Sequence, residues 1–396
     1  MRINRAIYSI VAAIAMFGSC VKPFTPAVTS VNVNILVVEG FINTGGDTTK
    51  INLSHTVTIG NKNSSVVETG ATVTVENTAG TAYAVPETTT KGSYASKGAL
   101  AITSGQQYRL RIKTTGGKTY LSDFVLAKAV PPIDSIGYTN KPGLMQLYVN
   151  SHDDANQTIY YKYAFSEAWY FHAKYTSAYI SNGKDAAVAR LASQDIFFCY
   201  GVDSSTNITI NSTAALGKDI VYQFPINSLS DTSEKLEMRY SILVSQYALT
   251  KDGYAFWSNM KTNTEQLGSI FDAQPSAISG NIHNVANATE PVIGYISAGS
   301  VQKKRIYINK TSLPANYVPG YPYTCSITDG AIDVDSLHAP QTIPPPPWAY
   351  QVVIKLPSAN RIIDANSATG PFSFSTAQCA DCTIRGTHNP PSFWKP

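Results

Sequence analysis

The sequence is short of charge and of long apolar runs. Charged residues make up 14% of the 396 positions, against about 25% in an average soluble domain. The formal net charge is only +4 and is scattered, which argues against a nucleic-acid-binding protein that relies on counterion release. Past the N-terminus there is no apolar run of about 18 residues, so a polytopic membrane protein is excluded. The hydrophobic share of 43% is too high for a disordered chain.

The chain also lacks the short motifs that mark common enzymes. It has no H-E-x-x-H helix, no G-x-S-x-G turn, no P-loop and no G-x-G-x-x-G fingerprint. Glu167, close to Trp169, resembles one half of a glycosidase pair, but no second carboxylate can be assigned to it. We therefore predict no catalytic residues, no metal site and no cofactor, and we keep a glycan or peptide hydrolase as an alternative.

The N-terminus has the pattern of a bacterial lipoprotein signal. Arg2 and Arg5 precede an apolar stretch over residues 6–17, and Gly18-Ser19 stands directly before Cys20. This order predicts a signal peptide over residues 1–19 and acylation of the Cys20 thiol, with fatty acids such as palmitate. Residues 20–33 then form a lipidated tether, and the predicted partner of this end of the chain is a lipid bilayer.

Cysteine use fits an exported protein. Four cysteines follow Cys20, and they are the disulfide candidates Cys199, Cys325, Cys379 and Cys382. Four cysteines allow three connectivities, and we favour a bond from Cys325 to either Cys379 or Cys382. A redox-active Cys-x-x-Cys pair and a zinc site that includes His388 are weaker alternatives.

Most of the chain reads as strands and turns. Residues 34–130 contain short alternating runs at close spacing, which predicts an immunoglobulin-like β-sandwich. In that sandwich, Tyr108 is either a tyrosine corner or an ordinary half-buried strand residue. Pro131-Pro132 marks a boundary, and residues 131–396 are predicted to form a larger β-rich domain. That domain has one packed helix near residues 251–268, capped by Thr250. The predicted fold class is all-β.

An aromatic run lies at the start of the second region, and aromatic side chains on a surface bind sugars and proteins. The competing interpretation is that these rings fill the core. A proline-rich segment with Trp348 is either a docking segment or a stiff loop. The binding-surface candidates are Tyr161, Tyr163, Trp169, Tyr170 and Trp348.

Several of these features, in this order, resemble one family. The features are the lipoprotein signal, Leu36-Val37-Val38-Glu39-Gly40, the Pro-Pro-Ile133-Asp134-Ser135 boundary, the aromatic strand with Trp169, Phe271-Asp272-x-x-Pro275-x-x-Ile278-x-Gly280-Asn281-Ile282, Gly294-Tyr295-Ile296, Cys379-x-Asp381-Cys382-x-x-Arg385-Gly386 and Pro391-x-Phe393-Trp394. Together they look like the Bacteroidota outer-membrane lipoproteins of the DUF4249 family, over nearly all of the mature chain.

The resemblance implies a non-enzymatic accessory role. Members resemble lipoproteins that work beside TonB-dependent outer-membrane barrels in nutrient uptake, so the expected partner is such a barrel or another envelope protein, with a glycan or peptide ligand. A structural or assembly role in an envelope complex is the alternative. We expect a lipid-anchored protein of the outer membrane, at the cell surface. The periplasmic leaflet is the alternative, because Val21-Lys22-Pro23-Phe24 lacks the acidic residues that accompany surface export.

Overall fold

The computed structural model describes residues 34–57, 66–181, 187–265, 280–330, 360–365 and 372–395. Within these ranges the chain forms strands throughout and one helix longer than two turns. Alternation explains the strands: in Gln107–Lys113, every second side chain (Tyr108, Leu110 and Ile112) is buried. The predicted all-β class is confirmed.

The N-terminal unit is a sandwich of two sheets, with strands numbered in chain order. The β1 sheet contains β1 (Leu36–Asn43), β2 (Lys50–His55), β3 (Val66–Val67), β6 (Ser93–Ala95), β20 (Val292–Ile293) and β21 (Ser297–Gly299). The β7 sheet contains β4 (Thr72–Asn77), β5 (Ala82–Ala84), β7 (Gln107–Lys113), β8 (Thr119–Ser122), β9 (Val125–Leu126) and β19 (Ile282–Asn284). One core lies between the two sheets, and it includes Val38, Ile51, Val75 and Leu110.

Tyr108 lies inside this core and is 1% exposed. Its hydroxyl accepts a hydrogen bond from the backbone N–H of Thr103, five residues upstream, at 2.9 Å. The hydroxyl therefore satisfies a nearby backbone donor, as the tyrosine-corner interpretation predicts.

The chain returns to the N-terminal sandwich long after the proline boundary. Strands β20 and β21 pair in parallel with β1, and β19 pairs with β8. The segment from Ile282 to Gly299 thus belongs to the sheets of the N-terminal sandwich, although the sequence-based division placed it in the second domain. Asn281 helps to hold this segment in place. Its side chain accepts a hydrogen bond from the backbone N–H of Ile296 at 2.9 Å and donates one to the Ile296 carbonyl at 3.0 Å. A Cβ at Gly294, whose φ is +144°, would clash with the carbonyl oxygen of Val38.

The second unit is also built from two facing sheets. The β11 sheet runs in the order β10 (Ile133–Lys141), β11 (Leu144–Asp153) and β17 (Asp219–Ser230). The β12 sheet contains β15 (Phe198–Ser204), β16 (Thr209–Ser212), β12 (Tyr160–His172), β18 (Arg239–Leu249) and β22 (Val301–Asn309). Side chains such as Leu147, Tyr163, Val221 and Ile242 fill the core between them.

Helix α1 (Lys251–Glu265) directly follows β18. The Thr250 hydroxyl caps it by accepting a hydrogen bond from the backbone N–H of Gly253 at 3.1 Å. The Phe256 ring is buried and packs 5.4 Å from the ring of Tyr295, which precedes β21. The helix was predicted near residues 251–268, and the structure confirms it over residues 251–265; residues 266–268 lie outside the described part of the chain.

The remaining elements lie beside the β12 sheet or toward the C-terminus. They are β13 (Tyr179–Ser181), β14 (Ala187–Ala189), β23 (Thr328–Gly330), β24 (Asn360–Ala365), β25 (Phe372–Thr376), the one-turn helix α2 (Ala377–Ala380), and 3₁₀ turns at Ala192–Gln194, Glu234–Leu236, Lys310–Ser312 and Cys382–Ile384.

Two disulfides hold the C-terminal elements to the rest. Cys325 bonds Cys379, one of the two partners favoured from the sequence, and Cys199 on β15 bonds Cys382. Cys379 and Cys382 are therefore not bonded to each other. The structure thus selects one of the three possible connectivities.

Arg385, in the C-terminal motif, makes contacts that hold the C-terminal turn in place. Its guanidinium lies 4.7 Å from the ring of Tyr321 and 5.2 Å from that of Phe171. It pairs with the Glu234 carboxylate at 2.9 Å, and its side chain is 12% exposed. This arginine thereby anchors the C-terminal turn to the edge of the β12 sheet.

Candidate functional site

Two of the predicted binding residues are core residues. Tyr161 is 0% exposed and Tyr163 is 1% exposed, so the prediction that they form a binding surface was wrong. Both point toward the β11 sheet, where the Tyr161 hydroxyl donates to the Asp219 carboxylate at 2.8 Å and Tyr163 packs 5.4 Å from Phe224. Alternation along β12 correctly groups the rings but does not say which face of the strand meets the second sheet.

Trp169 and Tyr170 are half-buried and lie far along β12. The Trp169 indole covers Gly201, where any Cβ would clash with it, and Tyr170 stacks on Tyr200 at 4.9 Å. These rings pack against their own sheet. The other two predicted residues, Cys20 and Trp348, lie outside the described residues.

The opposite face of β12 forms the floor of a cavity, which we call the central cleft. It lies between the outer face of the β1 sheet, the outer face of the β12 sheet and helix α1, and its volume is about 650 Å³, within the usual range for small-molecule sites. It is lined by Glu39, Gly40, Phe41, Asn43, Asp47, Thr48, Lys50, Lys162, Ala164, Leu243, Ser245, Tyr247, Leu249, Trp257, Tyr295, Ser297, Val301 and Lys303.

Strand register places the floor residues side by side. Lys162 on β12 lies directly opposite Tyr247 on β18, and Tyr247 lies opposite Val301 on β22. The next row along the sheet has Ala164, Ser245 and Lys303. Opposed residues in antiparallel strands share a face, so these side chains all project into the cleft. The rings of Phe41 on β1 and Tyr247 meet edge to face at 5.0 Å and join the two sheets.

Lys162 is the most unusual side chain of the cleft. Its ammonium nitrogen lies 3.3 Å from the centroid of the Trp257 ring on helix α1, a cation–π contact. It has no ion-pair partner among the described residues, and the opposing charge that acts on it is the exposed Glu39 carboxylate on β1. Burial lowers the pKa of Lys162 to about 8, and Glu39 offsets only part of this effect.

The other charges of the cleft are more exposed. Lys303 pairs with Asp47 at 2.5 Å, and both side chains are largely open to solvent. Lys50 is exposed and lies opposite Phe41 in the register of the β1 sheet. Three lysines thus face two carboxylates around the cleft, and one of those carboxylates is already paired.

A second cavity of about 520 Å³ adjoins the cleft. The two cavities share Glu39, Gly40, Trp257 and Tyr295, so Trp257 stands between them. The second cavity is more apolar, and its lining includes Val38, Phe256, Met260, Ile208 and Ile293. A ligand longer than the central cleft would continue past Trp257 into this space.

Glu167 has a structural role in the protein. Its side chain is 3% exposed and forms an ion pair with Lys235. It also accepts hydrogen bonds from the Tyr240 hydroxyl at 2.6 Å and from the Asn227 amide at 3.2 Å. A carboxylate held by three donors inside the second unit is not available to a substrate.

Cys199, Cys382 and His388 bring potential metal-ligating atoms within 4.8 Å of one another. The two sulfurs, however, are joined in a disulfide, so they offer no thiolate to a metal ion. The zinc alternative therefore gains no support from this group. The described residues contain no helix with the length and apolarity that a bilayer span requires.

We expect Lys162→Met to stabilise the protein. The ordinary lysine pKa of 10.5 is lowered to about 8 in the folded state, so folding disfavours the ammonium. The gain at neutral pH is expected to be on the order of 1 kcal/mol in free energy of unfolding, measured by urea denaturation.

The pH dependence has a definite sign. Between the two pKa values the unfolded chain binds more protons than the folded one, so the stability of the unmodified protein rises with pH across this interval. The advantage of Lys162→Met should shrink over the same interval. Lys50→Met, which removes an exposed ammonium from the same cleft, is the control and should stay within about 0.5 kcal/mol. A destabilised Lys162→Met protein would contradict the account.

The cleft residues escaped sequence analysis because they come from distant parts of the chain. Glu39, Lys162, Trp257 and Tyr295 belong to three strand-rich segments and a helix. Trp257 lies on the helix that the sequence predicts near residues 251–268. One local signal was present: Lys162 is a lysine between Tyr161 and Tyr163 in a strand rich in aromatic residues, on the face opposite those two tyrosines.

Comparisons with known proteins match a family model and, at a distance, solved structures. A family model described as a domain of unknown function, DUF4249, matches residues 21–305. Among curated proteins no match was found. The crystal structure of a DUF4785 family protein from Legionella pneumophila is 11% identical with a TM-score of 0.20, over 53% of this chain and 52% of that one. This chain thus spans about half the length of the structure it matches, and a likeness so distant carries no argument here.

Proposed function

Since the chain belongs to the DUF4249 family, a domain of unknown function, we propose that it is a lipid-anchored outer-membrane protein that binds a ligand without transforming it. Its partner in this proposal is a TonB-dependent barrel, to which it delivers a nutrient. The central cleft is the proposed binding site. The immunoglobulin-like sandwich of the N-terminal unit and the acylated Cys20 hold that site near the membrane.

The observation that carries the binding role is the composition of the central cleft. Its walls offer aromatic rings (Phe41, Tyr247, Trp257 and Tyr295), hydroxyl groups and lysines. Groups of this kind bind and orient a ligand. Of the two carboxylates of the lining, Glu39 and Asp47, the second is engaged by Lys303.

The lipid anchor is supported by the N-terminal signal and by the start of the fold. Residues 21–33 separate Cys20 from Asn34, the first described residue. The fourteen steps from Cys20 to Asn34 reach at most about 50 Å when fully extended. Strand β1, which begins at Leu36, carries Glu39 and Phe41 of the cleft. An acylated Cys20 would thus keep the cleft within reach of a membrane partner.

The proposal predicts co-purification with a barrel. We would insert an affinity tag in the exposed turn after Asn77, where the space around Gly80 is open, and solubilise outer membranes of the native host gently. We expect a TonB-dependent barrel in near-equal amount, identified by mass spectrometry. The matched control is Cys20→Ser, which cannot be acylated and should appear in the soluble fraction without the barrel.

Other outcomes would contradict parts of the proposed function. A secretion or assembly machine in place of the barrel would replace the proposal with the structural alternative. Recovery of the protein alone under several mild detergents would contradict the accessory role. Cys20→Ser that stays in the membrane fraction would contradict lipid anchoring, whatever the partner.

A further inference from the structure

The central cleft has a cationic group placed to meet an anion. The Lys162 ammonium is held against the Trp257 ring at 3.3 Å and has no carboxylate within ion-pair distance among the described residues. A desolvated ammonium without a partner is costly, and a bound anion would supply that partner. Because Lys303 already pairs with Asp47, Lys162 is the cation of the floor that remains free for a ligand.

The cleft also contains a buried hydroxyl that has no hydrogen-bond partner among the described residues. Ser297 is 6% exposed, and its hydroxyl has no hydrogen-bond partner within the described chain. Buried hydroxyls are nearly always hydrogen-bonded, so an unpaired one that lines a cavity points to a bound group. Ser245 in the floor adds a second hydroxyl. The ligand therefore carries hydrogen-bonding groups as well as an anion.

The walls favour recognition of rings rather than of an extended peptide. Strands β1, β12 and β18 are each paired on both sides. Their backbone N–H and C=O groups are therefore already hydrogen-bonded and cannot pair with an added peptide strand. They present side-chain faces to the cleft, with the rings of Trp257, Tyr295 and Phe41 among them. Aromatic faces pack against the C–H face of a sugar ring, while hydroxyls and charges meet its polar groups.

We infer that the central cleft binds an acidic sugar, a pyranose ring that carries a carboxylate, and that Lys162 holds the carboxylate. The inference rests on the proposed function, because it names the ligand class of the same cleft. Aromatic rings orient the sugar, and the Ser297 hydroxyl meets one of its hydroxyl groups. Lys162 is a binding residue in this assignment.

The protonation of Lys162 gives the inference a pH signature. Its pKa is lowered to about 8 by burial. The groups that face it are Glu39 from β1, Tyr247 from β18 and Trp257 from helix α1, with Lys50 and the Asp47–Lys303 pair at the rim. Binding of the acidic sugar should therefore weaken as the pH rises from about 7 to about 9, well below the range of an ordinary lysine. Lys162→Arg keeps its charge throughout and should lose this pH dependence.

The test compares an acidic sugar with its neutral ester. The full chain, purified in mild detergent, is titrated calorimetrically with trigalacturonic acid and with the same trisaccharide as its methyl ester, which removes the charge but keeps the rings. We expect the acid to bind about tenfold more tightly than the ester. Lys162→Gln should lower affinity for the acid to that for the ester. Lys113→Gln, the same charge change at an exposed position of β7, should change neither.

The outcomes separate the inference from the proposed function. Equal affinity for acid and ester, unchanged by Lys162→Gln, would overturn the acidic-sugar assignment while leaving a binding protein. Binding of neutral glycans or peptides alone would have the same meaning. If neither trisaccharide binds, the inference fails, and the co-purification experiment decides independently whether the accessory role survives. A Lys162→Arg protein whose affinity still falls over the same pH range would also overturn the role given to Lys162.

Discussion

Removal of the Cys199–Cys382 disulfide should destabilise the protein by about 5 kcal/mol, because the bond closes a loop of 183 residues and thereby restricts the unfolded chain. The corresponding figure for Cys325–Cys379, whose separation is 54 residues, is about 4 kcal/mol. Both are upper figures of the chain-entropy model. We therefore expect the larger loss of unfolding free energy in the double variant Cys199→Ala/Cys382→Ala.

The location of the bond explains why its removal should loosen mainly the C-terminal segment. Cys382 lies beyond residue 305, where the match to the family model ends, whereas Cys199 lies on β15 within the matched region. Around this bond the backbone groups of Tyr200 and Thr387 pair at 2.8 and 2.9 Å, and Trp394 packs 5.2 Å from Tyr200. Without the covalent link, this segment is held by non-covalent contacts such as these and the Arg385–Glu234 ion pair, and by the Cys325–Cys379 bond just upstream of it.

The measurement is urea denaturation of both double variants, with limited proteolysis to locate the loosened segment. Cys325→Ala/Cys379→Ala serves as the control, since it removes the same kind of bond over a shorter loop. We expect earlier cleavage after residue 382 in the Cys199→Ala/Cys382→Ala protein. Unchanged urea midpoints in both variants would show that neither bond restricts the unfolded chain in solution.

The second large effect is expected from Lys235→Met, at about 3 kcal/mol. Lys235 pairs with the Glu167 carboxylate, whose side chain is 3% exposed. When the lysine is removed, a buried carboxylate keeps its bonds to Tyr240 and Asn227 but loses its counter-charge. Breaking one partner of a buried pair is costly for this reason, although replacing both partners is often tolerated.

Lys235 has a second partner that supplies the control. The Asp203 carboxylate lies 3.3 Å from the same ammonium but is 57% exposed, so Asp203→Asn should cost less than about 1 kcal/mol. Thermal or urea unfolding of Lys235→Met, Glu167→Gln and the double variant forms a double-mutant cycle. The double variant should lose less than the sum of the single variants. Additive losses would mean that Glu167 and Lys235 do not act as a pair.

The elements that the sequence predicted well are those with a local cause. Helix α1 was found because Thr250 can cap it and its apolar residues recur at helical spacing. Strands were found because side chains alternate along them, and the backbone bond of Tyr108 lies within five residues. Each of these features depends on neighbours along the chain, so the chain order alone contains the information.

Which face of β12 is buried depends on how the strand is oriented toward the second sheet. The alternation in β12 separates Tyr161 and Tyr163 from Lys162 and Ala164, but it does not say which set meets the β11 sheet. Tyr161 and Tyr163 were predicted to be surface residues, and they fill the core instead. The face that borders the cleft carries the lysine, whose charge is inconspicuous among aromatic neighbours.

The sequence by itself determined the all-β class, the helix after β18 and the cysteines able to form two disulfides, because propensity, period and capping act between residues close in the chain. Only the tertiary structure decided which cysteines are bonded, that residues 282–299 return to the N-terminal sandwich, and that Glu39, Lys162, Trp257 and Tyr295 share one cleft. These outcomes depend on how whole sheets pack, and packing couples residues that lie more than a hundred positions apart.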